Sequence, residues 1–380
     1  MGIAEGVPAG LPLSADHINE HLARRWLGYG RGGRSKIEND RVHIHAGVRF
    51  GETMGHPVAF KLPNASHHKD RSGWPEKMAK EGDGEDVEKV TLPRPGHADL
   101  VGTQKYGLDD IRPVIERSSA RETAMRVACC SVARQLLRVL GIEVGSHVVR
   151  LGEVGSTNTD DWQDRAQELL DEGGARALYE AADESDTRML DPDLTREAVE
   201  HIKQTKKERD SLGGVYEVVV TGVPPGLGSY AQWDRRLDGK LGQAILSIQA
   251  QKAVEVGDGI ENTYRPGSEV HDEIIKENGR FARRTNRAGG LEGGTTNGMP
   301  LIVRGYMKPI PTLIEPLDSV DIETGEPTQT RYERSDVTSV PAASTVAEAT
   351  VAHAVANALL EKTGGDTLEA VRDRVEALRS

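Results

Sequence analysis

Apolar residues recur at four-residue intervals between Ser14 and Trp26, at Ile18, Leu22 and Trp26, and Ser14 stands where a helix cap belongs. That spacing predicts a helix. After a glycine-rich loop from Trp26 to Lys36 the rhythm becomes alternation, and Val42, Ile44, Ala46 and Val48 predict a strand over Arg41 to Arg49. A second helix is predicted from Ser119 to Leu140, because Ser119 and Glu122 have capping-box spacing and Ala124, Val127, Ala128, Ser131 and Gln135 trace a small-residue face. Further helices are expected over Asp160 to Glu172, Leu194 to Glu208, Leu237 to Val254, Val346 to Glu361 and Leu368 to Leu378, with a Val-rich strand over Gly214 to Thr221. No fixed short period recurs, which removes solenoids and propellers and leaves a mixed α+β domain.

Two stretches interrupt the pattern. The segment from Asn64 to Pro95 is polar, charged and broken by Gly and Pro, the composition of a long excursion of the kind that covers sites. Thr285 to Met299 carries Gly289, Gly290, Gly293, Gly294 and Gly298, too many for regular structure, so a ligand-facing or tightly packed loop is expected there.

Charge narrows the partners. Lys and Arg total 48 against 60 Asp and Glu, so the field of the 380-residue chain repels polyanions and disfavours nucleic acid and anionic membrane surfaces. An anionic ligand would therefore have to be held by a local cluster of cations. The two cysteines, Cys129 and Cys130, are adjacent, which closes no loop and does not match zinc spacing, so a reduced, cytoplasmic compartment is expected. No apolar run reaches transmembrane length, and the start from Met1 to Gly6 has no basic region followed by an apolar stretch.

Candidate chemistry sits in a few short segments. In Arg94-Pro95-Gly96-His97-Ala98-Asp99 a Pro-Gly turn presents a histidine beside an arginine, suited to moving a proton, the alternative being a turn histidine that only bonds backbone. Glu116 to Glu122 surrounds a helix start with Arg117, Ser118, Ser119 and Arg121, either a phosphate seat or an ordinary cap with solvated arginines. Arg24, Arg25, Arg31 and Arg34 lie in a Gly-rich stretch whose guanidinium forks suit carboxylates and phosphates, and an RNA-binding box would need repeats and a basic domain. Arg334-Ser335-Asp336 puts a carboxylate beside a guanidinium that could keep it ionised as a base, or else form a surface pair. The loop from Asn286 to Gly294 has neither a Walker lysine nor a dinucleotide fingerprint. His43 with His45, and His67 with His68, lack a convincing third ligand, so no metal site is expected.

Taken in order, these segments resemble the chorismate synthase family from Glu5 to about Leu378. The resemblance is carried by Glu5 to Gly10, Arg24-Arg25 with Gly28 to Gly32, Arg94 to Asp99, Glu116 to Thr123, Leu212 to Gly214, Gly226 to Ser229, Ile248 to Ala250, Gly257 to Gly259, Asn286 to Gly294, Lys308 to Ile310 and Arg334 to Asp336. It implies a layered β-α-β sandwich core with two internally related halves, usually as a homotetramer. It also implies a 1,4-elimination of phosphate from 5-enolpyruvylshikimate 3-phosphate that yields chorismate. The cofactor implied is reduced FMN, with NADPH only an indirect source of flavin reduction and the reductant external to this chain.

By the same resemblance Arg25, Arg31, Arg94, Arg121 and Arg334 would hold substrate anions, with Arg25 and Arg31 also matching nicotinamide-nucleotide positions. Flavin contacts would come from Arg117, Ser118, Ser119, Gln249, Ala250, Gly293, Lys308, Pro309, Ile310, Pro311 and Thr312, and from Arg334. His97 would assist proton movement at the flavin, and Asp336 would act as base at its N5, which takes the substrate's C6 proton. Residues 1–380 are expected to form one such domain, beginning after the strand and Gly-Glu-Ser-His-Gly motif that open the family pattern. Because the histidine of that motif is taken as a general acid, two other functions stay open: a catalytically impaired flavin-binding homologue, and an anion-binding module without catalysis.

Overall fold

The computed structural model describes residues 1–30, 40–63, 88–277, 279–330 and 336–379. A five-stranded antiparallel sheet runs in the order Val154–Gly155, Glu143–Leu151, Gly214–Thr221, Leu301–Met307, Gln251–Val256. Gly214–Thr221 is its middle strand and is buried on both faces, so its sequence is a Val-rich run where a half-exposed strand would alternate.

The helices Gln163–Asp183 and Val340–Thr363 cover opposite faces of this sheet, and the pleat of strand Glu143–Leu151 serves both. A Cβ at Gly145 would lie 2.1 Å from the Ala175 carbonyl oxygen of the first helix, a distance only glycine avoids. The next residue, Ser146, points the other way and donates to Glu348 of the second helix at 2.6 Å. Helix Gln163–Asp183 extends the predicted Asp160 to Glu172 element through a break at Gly173 and Gly174, which lets it resume against the sheet.

Beyond the Val340–Thr363 helix lie the helices Ala15–Arg24, Glu122–Val139 and Leu237–Leu246, and outside them a three-stranded sheet of Gly2–Ala4, Val58–Lys61 and His43–Ala46. With helix Gln163–Asp183 on the outer face of the larger sheet, the layers inside it are sheet, helices, sheet, an α+β sandwich. Helix Val340–Thr363 is the spine of the core and is buried on nearly every side, so it starts six residues before the predicted Val346. The expected small face of helix Glu122–Val139 is present: Ala124, Val127, Ala128, Ser131 and Gln135 are all buried.

Three expectations change. The predicted helix over Leu237 to Val254 stops at Leu246, the chain turns through Ala250 at φ +65°, and Gln251–Val256 becomes an edge strand paired with Leu301–Met307. Tertiary pairing overrides helical periodicity there. Ser119 is not the cap of the second helix: Arg121 occupies that position, and the Ser119 hydroxyl instead accepts the Arg121 backbone N–H at 3.2 Å. The strand predicted over Arg41 to Arg49 is divided into His43–Ala46 and Val48–Arg49, and its ladder slips between Ile44 and Ala46, which takes His45 out of the pairing. His67 and His68 lie outside the described residues, among which no group of His, Cys, Asp and Glu could hold a metal ion.

Candidate active site

Antiparallel register gathers distant segments at one end of the five-stranded sheet. Strand Leu301–Met307 runs out there into Lys308, and its last residue pairs with Gly214 and with Gln251, the first residues of the two flanking strands. Lys308 to Thr312, Ser211 to Gly213 and Gln249-Ala250 therefore meet. The Lys308 N–H donates to the Ala250 carbonyl at 3.0 Å, and the Ser211 hydroxyl donates to the Ile310 carbonyl at 2.8 Å. From Ser211 the contacts continue: the Leu212 N–H donates to Val337 at 2.8 Å, and the Val337 N–H donates to Gly30 at 2.9 Å. Asp336 is thereby fixed beside the glycine-rich segment, and its carboxylate accepts from the Ser339 hydroxyl at 2.9 Å.

The Arg94 to Asp99 turn packs onto the same end. Gly96 stands at φ +74°, a conformation glycine adopts without cost, and its carbonyl accepts the Lys308 ammonium at 2.7 Å. Arg94 donates to the Thr312 hydroxyl at 3.2 Å, and through Nε at 2.8 Å to Asp99, which is wholly buried. Asp99 also lies 2.5 Å from His97 Nδ1. Burial alone would raise the Asp99 carboxyl, but hydrogen bonds from His97 and Arg94 outweigh it and hold the group well below the usual carboxylate range. Burial, with Lys252 nearby, pushes the Lys308 ammonium down.

A second cluster forms where helix Glu122–Val139 begins. Arg25 donates to Asp40 at 3.2 Å and to the Thr123 hydroxyl at 3.1 Å, and Arg121 pairs with the same Asp40 at 2.5 Å. Between Arg121 and Thr123, Glu122 accepts from Arg126 at 3.2 Å and from the Gln249 side-chain amide at 3.2 Å, which ties this cluster to the Lys308 end of the sheet. Arg117, Ser118 and Ser119 lie at the end of helix Arg112–Arg117 and in the turn that follows it, immediately before the start of helix Glu122–Val139.

The structure thus brings together Arg25, Arg94, His97, Arg121, Gln249, Ala250, Lys308 to Thr312 and Asp336 by direct contacts or short chains of them. Gly293 lies elsewhere. It occupies the turn of a hairpin, Leu291–Glu292 with Thr295–Thr296, where a Cβ would meet Tyr230 at 3.5 Å. The neighbouring Gly294 carbonyl accepts the N–H of Leu237, the first residue of helix Leu237–Leu246, whereas Gln249 follows the end of that helix. Ten residues at 1.5 Å each put the two roughly 15 Å apart. Arg31 and Arg334 lie outside the described residues. Asp40 and Ser211 were not singled out from the sequence, and Glu122 and Thr123 were read only as parts of a helix start, since the partners of all four are set by tertiary contact.

A family model for chorismate synthase matches residues 1–360. The chain is 71% identical to the chorismate synthase of Salinibacter ruber, with all of this chain and 95% of the relative aligned. The chain belongs to the chorismate synthase family. It is also 52% identical to the chorismate synthase of Chlorobaculum tepidum, over all of this chain and 94% of that protein. A crystal structure of a chorismate synthase superposes with a TM-score of 0.76 at 39% identity, covering 99% of this chain and 92% of the other.

The flavin that this family employs can be tested against the residues present. The side-chain oxygen of Gln249 is buried and has no hydrogen-bond partner among the described residues, and its amide nitrogen donates to Glu122, so an N–H donor such as a flavin ring carries would satisfy it. Arg117, Ser118 and Ser119 offer the cation and hydroxyls that a phosphate needs. The residues fit the group.

Proposed function

We propose that the chain catalyses the 1,4-elimination of phosphate from 5-enolpyruvylshikimate 3-phosphate to chorismate, with FMN held beside the substrate. The observation that carries this reading is the gathering of Arg25, Arg94, Arg121 and Lys308 from four separate segments of a chain whose net charge is −12. The substrate has two carboxylates and a phosphate, and FMN adds another phosphate, an anionic load that only local cations offset. Reduced FMN, when bound, would supply transient electron density for the elimination without net oxidation.

The roles of the chain's own residues follow from their chemistry. Arg25 and Arg121, oriented through the Asp40 carboxylate that they share, bind a substrate anion. Arg94, oriented by Asp99 and Thr312, does the same across the site, with Arg31 and Arg334 proposed as further partners. Asp336 accepts a proton, steadied by the Ser339 hydroxyl, and His97 exchanges one at the edge of the turn. Gln249, Ala250 and Lys308 to Thr312 orient the flavin, and Arg117, Ser118 and Ser119 take its phosphate. The working form is a cytoplasmic homotetramer supplied with reduced flavin by an external reductant, and among the described residues no helix is long and apolar enough to cross a membrane.

Titration of FMN fluorescence tests the shared site. Binding is expected to tighten when 5-enolpyruvylshikimate 3-phosphate is present, because each ligand orders and desolvates arginines that the other uses. Equal affinity with and without substrate at low salt would overturn the reading.

A further inference from the structure

Within the Arg94 to Asp99 turn, Asp99 has so far served only to orient Arg94. It is the first residue of helix Asp99–Tyr106, and both of its oxygens turn back onto the preceding residues. Oδ2 accepts the Arg94 backbone N–H at 3.0 Å and Arg94 Nε at 2.8 Å. Oδ1 accepts Arg94 Nη2 at 3.2 Å and lies 2.5 Å from His97 Nδ1. Four donors fill the capacity of one carboxylate, and the group is 0% exposed, so water does not compete for it.

We propose that Asp99 is the positioning residue for His97, fixing the imidazole as its Nδ1–H tautomer so that Nε2 is the nitrogen offered to the ligands. The inference rests on the reading of His97 as a group that exchanges a proton. An ionised carboxylate only accepts hydrogen bonds, so the proton between Asp99 and His97 belongs to Nδ1. The neutral ring then accepts at Nε2 alone. Arg94 Nη2 lies 3.2 Å from Nδ1 and 3.4 Å from Nε2, and with Nδ1 already donating, its N–H can be accepted only at Nε2. One carboxylate therefore orients both the histidine and the guanidinium that covers its working nitrogen. Among the described residues the Lys308 ammonium, bonded to the Gly96 carbonyl at 2.7 Å, is another charge held against this turn. An anion that draws Arg94 aside uncovers Nε2, which would couple substrate binding to proton exchange.

A purely structural Asp99 would stitch the turn together and have no effect on the ring. Asp99→Asn separates the two roles. Turned one way, the Asn amide would face Arg94 N and Nε, neither of which can stop donating. Turned the other way it gives up only the longer 3.2 Å contact with Arg94 Nη2 and faces His97 Nδ1, which can adapt by moving its proton to Nε2. The variant should therefore keep the turn and invert the tautomer.

The test is nitrogen NMR of the folded protein with labelled histidine, in mildly alkaline buffer, with the His97 signals assigned by their loss in His97→Gln. The wild type is expected to show Nδ1–H and Asp99→Asn to show Nε2–H, with kcat reduced about 10²–10⁴-fold and KM for the substrate little moved. An Nε2–H wild-type ring, an Asp99→Asn ring that keeps Nδ1–H, or wild-type kcat in that variant would each overturn the proposal. If Asp99→Asn does not fold, the wild-type spectrum still decides the tautomer. Should His97→Gln turn over at the wild-type rate while the tautomers are as stated, the proton role of His97 falls and the tautomer assignment of Asp99 stands.

Discussion

Arg24 and Arg25 are adjacent in the chain and equally hidden, at 8% and 7% exposed, yet they belong to different machinery. Arg24, the last residue of helix Ala15–Arg24, reaches into the core, where it bonds Asp183 and Glu348. Arg134 and Arg188 converge on the same Glu348, and Ser146 donates to it at 2.6 Å. Arg134, Ser146 and Glu348 all lie inside a helix or strand, and Glu348 is 0% exposed. Arg25 lies just past the helix end and pairs with Asp40 and Thr123, and it shares Asp40 with Arg121. Charges locked between regular elements hold a fold together, whereas guanidinium groups on segment ends stand where a ligand can reach them.

Breaking the core cluster should have the largest effect. Glu348→Gln removes the one negative charge shared by three guanidinium groups and is expected to cost about 3–5 kcal/mol in urea unfolding, leaving ligand affinity of the folded fraction unchanged. Burial would raise the Glu348 carboxyl, but Arg24 and Arg134 outweigh it and hold the group well below its ordinary range. Its stabilisation is therefore complete above the unfolded value of about 4.3 and is lost as pH falls through the folded one. The gap between wild type and Glu348→Gln should be flat near neutrality and narrow below about pH 4. A gap that widens in acid would contradict this assignment.

At the site the signs of the comparison reverse. Asp336→Asn keeps the shape of the side chain, so stability and ligand binding should persist while kcat falls roughly a hundredfold or more. Unchanged anaerobic turnover removes Asp336 from the mechanism. Arg121→Ala should weaken substrate binding by about 1.5–3 kcal/mol, as expected for a hydrogen-bonded charge, whereas Arg41→Ala, on the exposed residue ahead of strand His43–Ala46, should change little. Equal effects in a binding titration would dissolve the distinction between them. The smallest effect belongs to the exposed Arg165–Glu168 pair, where Arg165→Ala should stay within about 0.5 kcal/mol in stability and leave kcat alone.

Legibility in the sequence followed the range of the interactions. Helix Ala15–Arg24 and strand Gly214–Thr221 were readable because local periodicity and β-branched runs reflect burial directly. The strand Gln251–Val256 was not, since its pairing with Leu301–Met307 is made some fifty residues away and overrides a helical pattern. At the site, Arg94, His97 and Asp99 were visible as a motif because a turn brings them together within six residues. Asp40 carried no local signal, because what defines it is two arginines arriving from different helices. The divergence of Arg24 from Arg25 was invisible for the same reason. Gly293 shows the converse: its motif was legible, but the fold of one chain sets it at the far end of helix Leu237–Leu246 from Gln249.

The central claim is that this cluster of cations, with Asp336 and His97, carries out the elimination. It is tested most directly by incubating the protein without oxygen with chemically reduced FMN and 5-enolpyruvylshikimate 3-phosphate, following chorismate and released phosphate together. The account predicts equal amounts of both products, catalytic in protein, with the flavin still reduced at the end. Tight binding of flavin and substrate with no chorismate formed, or phosphate released without it, would contradict the account.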